Sequence, residues 1–154
     1  MDKENITIKP ALLAACREYI EQRIANAREA IAAASDAVAA DTKSSAGDKF
    51  ETTREMMQQE LNRHQQLLTD ASRMEQSLNQ LDIGIHKESV RAGSLVITSE
   101  GNFFIAISIG RIQINGTSYW IISPVSPLGQ RLIGTKVGQP IAFNGKTYHI
   151  TEIS

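Results

Sequence analysis

Two sets of mostly aliphatic residues recur at intervals of three or four along the first half of the chain, and they constrain its fold more than any other feature. Leu13, Cys16, Ile20, Ile24, Ala27, Ile31, Ala34 and Val38 form the first set. Met57, Leu61, His64, Leu68, Ala71, Met74, Leu78 and Leu81 form the second. Such spacing lines each set along one stripe of an α-helix, close to the seam of a coiled coil. It predicts helices over 10–41 and 48–81, with Pro10 in the first turn, where its missing N–H is not needed. The break from Asp41 to Gly47 is short, so the second helix is expected to return antiparallel to the first. Ala27, Ala30 and Ala32 to Ala34 would let a partner backbone approach closely.

Glycine and proline divide the chain. Residues 1–83 hold only Gly47 and Pro10, whereas residues 84–154 hold the other nine glycines and three prolines. Charge divides at the same place, with 10 bases against 14 acids (net -4) before it and 6 against 3 (net +3) after it. The expected domains are therefore an antiparallel coiled-coil hairpin over 1–83 and a second domain over 84–154. In the latter, 94–98, 102–109, 119–122 and 147–153 are β-branched or aromatic runs that read as strands. Asn115-Gly116 and Asn144-Gly145 are hairpin dipeptides, and Pro127 to Ile133 reads as one short helix ended by Gly134. The expected class is α+β: a helical hairpin followed by a small antiparallel sheet with one helix.

Composition counts against several functions. A net charge of -1 gives no polybasic whole for independent nucleic-acid binding. The single cysteine, Cys16, cannot form an internal disulfide, and a zinc cluster would need more soft ligands. Cys16 continues the apolar stripe, so burial is expected of it. His64, His86 and His149 are too dispersed for a histidine cluster, and His64 reads as a packed seam residue. No run approaches the roughly 20 apolar residues of a membrane span, and Met1 to Pro10 has no apolar core of a secretory signal. A cytoplasmic protein without membrane association is expected. It is expected to be a monomer, since the hairpin satisfies its own seam.

Chemistry is concentrated at the turn between the helices. Gly47 can turn the chain, Asp48 can cap the second helix, and Glu51 stands three residues on, as in a capping box. The same two carboxylates share one helical face, with Glu55 a turn further, and can hold a hard cation or orient a water. Two carboxylates alone hold Mg²⁺ poorly, so a second molecule would have to complete the site. Phe50 lies between them with little core to join; it can brace the turn or touch a partner.

These residues carry a resemblance that covers nearly the whole chain. Gly47-Asp48-Lys49-Phe50-Glu51 resembles the G-D-x-x-E of the Gre transcript-cleavage factors of bacterial RNA polymerase, at the same hairpin turn. Ser126-Pro127-Leu128-Gly129-Gln130-Arg131-Leu132-Ile133-Gly134 is similar to that family's S-P-x-x-x-A-L-I-G, with Gly138 matching a later glycine. Gly93-Ser94-Leu95-Val96 resembles the G-S-x-V that leads into the family's first strand. Departures are Thr52-Thr53-Arg54-Glu55 in place of N-A-E-Y, and Arg131, Thr135 and Gln139 in place of Ala, Lys and Asp.

The resemblance implies a coiled coil followed by an FKBP-like domain that docks at the secondary channel of RNA polymerase. It implies that Asp48 and Glu51 share Mg²⁺ with the polymerase, which then hydrolyses a backtracked transcript. Ser126, Pro127, Arg131 and Lys136 would lie on the docking segment, with nascent RNA involved indirectly; no tightly bound cofactor is implied. The protein would thus stimulate the polymerase's own hydrolysis without being an enzyme by itself. The altered residues after Glu51 keep open a regulator that docks without stimulating cleavage. A remoter alternative is an FKBP-like isomerase or chaperone using Phe103, Phe104, Tyr119, Trp120, Phe143 and Tyr148.

Overall fold

The computed structural model describes the backbone of residues 2–44 and 48–154 and the side chains of residues 8–40 and 52–154. The fold is α+β. Two long helices, α1 (Asp2–Ser44) and α2 (Asp48–Asn79), precede a sheet built from β1 (Leu95–Thr98), β2 (Gly101–Ile105), β3 (Gly110–Ile114), β4 (Thr117–Ile122), β5 (Pro140–Phe143) and β6 (Lys146–Ile153). A short helix, α3 (Pro127–Leu132), lies between β4 and β5 in sequence. The chain forms two compact units: one joins α1 up to Arg17 with Gln76–Ser154, and the other is Glu18–Glu75.

The described residues of the unit Glu18–Glu75 are helical. Two helices side by side can exclude water only along the stripe each turns to the other. Within it Ile20, Ala27 and Ala71 are buried, while Ile24, Ile31, Leu61, His64, Leu68 and Met74 are half-buried. All belong to the two sets read from the sequence. Arg23, Asn26, Ala27 and Ala30 of α1 line one cleft with His64 and Leu67 of α2, where the alanines leave space between the helices. Arg23 donates to the Tyr19 hydroxyl at 2.9 Å and lies over its ring, and Glu60 pairs with Arg63 at 2.6 Å.

α1 begins well before the expected residue 10, so Pro10 is inside the helix and not in its first turn. It occupies an exposed position, where the carbonyl deprived of a helical donor can bond water. At the same end Leu12 is fully buried and Leu13 only half-buried.

The other unit is organised by the sheet, whose strand order is β3-β4-β2-β1-β6-β5. It is mixed, contrary to the expected antiparallel sheet, because β4 inserts between β3 and β2 and runs parallel to β2. The apolar run 102–109 reads as one strand, yet β2 stops at Ile105. Gly110, at φ +102, then starts β3, which pairs only with β4. The two Asn-Gly dipeptides form the tight hairpins they predict, with Asn115, Gly116, Asn144 and Gly145 all at positive φ.

One sheet face carries Val96, Phe103, Ile105, Ile141, Ile150 and Ile153, packed with Val90 and with Leu132 of α3. On the other face Leu95, Phe104 and Ile121 are fully buried, as are Leu12 and Cys16 of the α1 segment in the same unit. Burial pushes the Cys16 thiol up to about 12, which makes it a packing residue with little thiolate at neutral pH.

α3 is seated by contacts that tolerate little change. A Cβ at Gly129 would stand 2.1 Å from the Ser123 carbonyl oxygen. We expect Gly129→Ala to cost about 1–3 kcal/mol of stability through overpacking, and the neighbouring exposed Gln130→Ala under about 0.5 kcal/mol. Denaturant unfolding of the two variants checks this; equal effects would mean that α3 is not tightly seated.

Candidate functional site

Asp48 opens α2. Residues 48 and 51 are therefore three apart on helical backbone and share one face of its first turn. The side chains of Asp48, Phe50 and Glu51, and Gly47 as a whole, lie outside the described residues. Beyond them Thr52, Thr53, Arg54 and Glu55 are all exposed. Among the described residues no three His, Cys, Asp or Glu side chains are grouped to hold a metal ion. Asp48 and Glu51 fall outside that set; as two carboxylates on one helical face they suit a hard cation whose remaining oxygens come from elsewhere.

The second candidate segment is fully described. The Ser126 hydroxyl accepts the Gly129 N–H at 3.1 Å and donates to the Ser123 carbonyl at 2.6 Å, so Ser126 is the N-cap of α3. Pro127 follows in the first turn, where no intrahelical donor is missed. Leu132 reaches the core, and Gly134 leaves the helix at φ +82. Ser126, Pro127, Leu132 and Gly134, which carry the resemblance here, thus all have local folding roles. Arg131 donates from Nη2 to the Ala142 carbonyl at 2.9 Å, tying α3 to β5. The Lys136 side chain is exposed, while its backbone N–H donates to Gln139 Oε1 at 2.7 Å.

Around this helix the structure adds what spacing could not reveal. Val125 is 75% exposed, and Ile133 and Val137 are exposed as well. Three aliphatic side chains in solvent beside Arg131 and Lys136 give the segment an apolar and cationic surface. The aromatics named for an isomerase site are divided by the sheet: Phe103 and Trp120 pair on one face, and Phe104 pairs with Ile121 on the other.

A third cluster, absent from the sequence reading, lies between α2 and β1. Lys9 is only 2% exposed and donates from Nζ to the Gly84 carbonyl at 2.7 Å. Its signal was present: the first apolar stripe, carried back seven residues from Cys16, falls on Lys9. Asp82 accepts the Gly84 N–H at 2.9 Å and lies 3.5 Å from Arg91 Nη2. The Gly84 N–H, helped by His86, Arg91 and Lys9, holds the Asp82 carboxyl below the usual range. His86 Nε2 meets the Asp82 carbonyl at 2.9 Å, as donor in the tautomer that fits. Gly93 is required behind them, since a Cβ there would stand 1.8 Å from the Asp82 carbonyl oxygen.

Compared with protein-family models and with characterised proteins, the sequence matches neither a family model nor a curated protein. No described helix is long and apolar enough to cross a membrane.

Burial lowers the Lys9 ammonium to about 8, with Asp82 opposing and Arg91 adding to the shift. Between about pH 8 and the ordinary lysine value of 10.5 the unfolded chain therefore binds more protons at this position than the folded one. Stability contributed by Lys9 must then rise with pH across that window, by on the order of 2–3 kcal/mol. Urea unfolding of the wild type and Lys9→Met should diverge in this way between the two pH values. A constant difference would show that Lys9 is not desolvated in the fold.

Proposed function

We propose that this protein is a Gre-like factor acting on RNA polymerase, with Asp48 and Glu51 presented to the polymerase's catalytic centre. The observation that carries the reading is the placement of this acid pair in the first turn of α2, where the second of two long helices begins. α2 alone, with 32 residues, is about 48 Å long at 1.5 Å per residue. An element of that length suits a narrow channel. The apolar and cationic surface around α3 supports docking of the C-terminal domain, which we read as FKBP-like, on an acidic polymerase surface.

In this reading the chain supplies ligands and leaves the active site to its partner. The Asp48 and Glu51 carboxylates add oxygen ligands to Mg²⁺ held by polymerase acids, and one of them accepts a hydrogen bond from the attacking water. When bound, the shared ion supplies Lewis-acid activation of the transcript phosphodiester. Phe50, between the acids, packs against the channel wall, and nascent RNA is met only through the polymerase. A second reading follows from Thr52, Thr53 and Arg54, which replace a polar, a small and an acidic residue of the family pattern. With them the protein docks and occludes the channel without promoting hydrolysis.

Addition of the protein to a backtracked transcription complex separates these readings. We expect transcript shortening that falls at least tenfold in Asp48→Ala and Glu51→Ala, with polymerase binding retained. Arg131→Glu should weaken binding itself. Tight binding with no shortening would favour the occluding regulator, and no binding would remove both readings.

A further inference from the structure

We propose that the sheet surface around Trp120 binds single-stranded nucleic acid, one base stacking on the indole while Arg111 meets an adjoining phosphate. Strand register creates the site. Phe103 of β2 pairs with Trp120 of β4, and Trp120 pairs with Arg111 of β3. Paired residues project to the same face of a sheet, so the three form one row across neighbouring strands. Phe103 is buried and meets Tyr148 edge-on at 5.8 Å. Trp120, the next ring in the row, remains 42% exposed.

Each neighbour of the indole adds to this arrangement. Arg111 is exposed, and its Nε and Nη2 donate to Ser118 Oγ at 3.1 and 2.9 Å. Those bonds hold the guanidinium at Ser118, two residues before Trp120 along β4 and on the same face, and leave further donors of its five for a ligand. Gly101 flanks the other side: a Cβ there would lie 3.7 Å from Trp120 Cδ1 and from the Phe103 ring, so glycine leaves that flank uncovered.

Charge selects the class of ligand. No Asp or Glu occurs between Glu100 and Glu152, whereas Arg111, Arg131, Lys136 and Lys146 all fall in that stretch. An exposed ring alone would also suit a proline-rich peptide. An exposed ring and a guanidinium on one sheet face, in a stretch from 101 to 151 without Asp or Glu, favour a polyanion with flat bases, whose binding combines stacking with phosphate neutralisation. RNA and single-stranded DNA share this chemistry, and the 2′-hydroxyl distinguishes them.

Trp120 is the only tryptophan, so indole emission reports on this site alone. Titration of the full chain with oligouridylate or oligothymidylate should give saturable quenching that weakens as salt rises. A preference for the former would assign RNA, and equal affinity any single strand. By anisotropy of a labelled oligonucleotide, Trp120→Ala should lose about tenfold or more in affinity, Arg111→Ala about fivefold, and Trp120→Phe should retain most of it. Glu100→Gln, which removes the carboxylate in the turn beside Gly101, should tighten binding. Absence of quenching at millimolar nucleotide would overturn the proposal. So would oligonucleotide binding unchanged in Trp120→Ala and Arg111→Ala, or stronger quenching by a proline-rich or polyglutamate peptide. None of these measurements involves the polymerase, so their failure leaves the reading of Asp48 and Glu51 untouched.

Discussion

Water is excluded from a pair of helices along one stripe apiece, and this limit governs the N-terminal half of the chain. Among the described residues of Glu18–Glu75, burial follows that stripe, with Ala27 and Ala71 covered and most of the larger seam residues half-buried. Among the described residues this unit offers no interior that would enclose a reacting centre, so the chemistry proposed for it is of a kind that a second molecule completes. Asp48 and Glu51 have that character, since two carboxylates on one helical turn are too few to hold Mg²⁺ alone.

The sheet unit solves a different problem. Its core is mostly aliphatic, with Phe103, Phe104 and Tyr119 as its buried aromatics, and both faces of the sheet are buried at their centres. Precision at the margins comes from backbone approach: Gly129 lies against Ser123, and Gly93 against Asp82. Lys9 is the one lysine of the described core, and its ammonium is met by a carbonyl, with Asp82 near enough to favour its charge. These contacts leave Val125, Ile133, Val137 and Trp120 as the large apolar side chains of the sheet and α3 region that remain in solvent.

Much of this was legible in the sequence because it is local. Helical stripes declare themselves at three- and four-residue spacing, and the Asn-Gly turns and the Ser126-Pro127 cap need only adjacent residues. The parallel pairing of β2 with β4 was not legible: it depends on where β4 returns, and the apolar run through Ile109 conceals the end of β2. Nor was the Arg111–Trp120 neighbourhood, since those residues are nine apart in sequence and meet only through strand register. Lys9 escaped because a charged residue at a stripe position reads as the end of the stripe. The acid pair is legible from its spacing and its place at the start of the second helix, whereas the role proposed for it depends on a partner.

The proposed delivery of residues 48–51 to a partner's metal is therefore the point to test. Replacing Mg²⁺ in the polymerase's catalytic centre by Fe²⁺ and generating hydroxyl radicals there cuts any polypeptide close to the ion. With this protein bound, cuts confined to the neighbourhood of Asp48 and Glu51 are expected. Cuts falling in residues 84–154, or none despite tight binding, would contradict it.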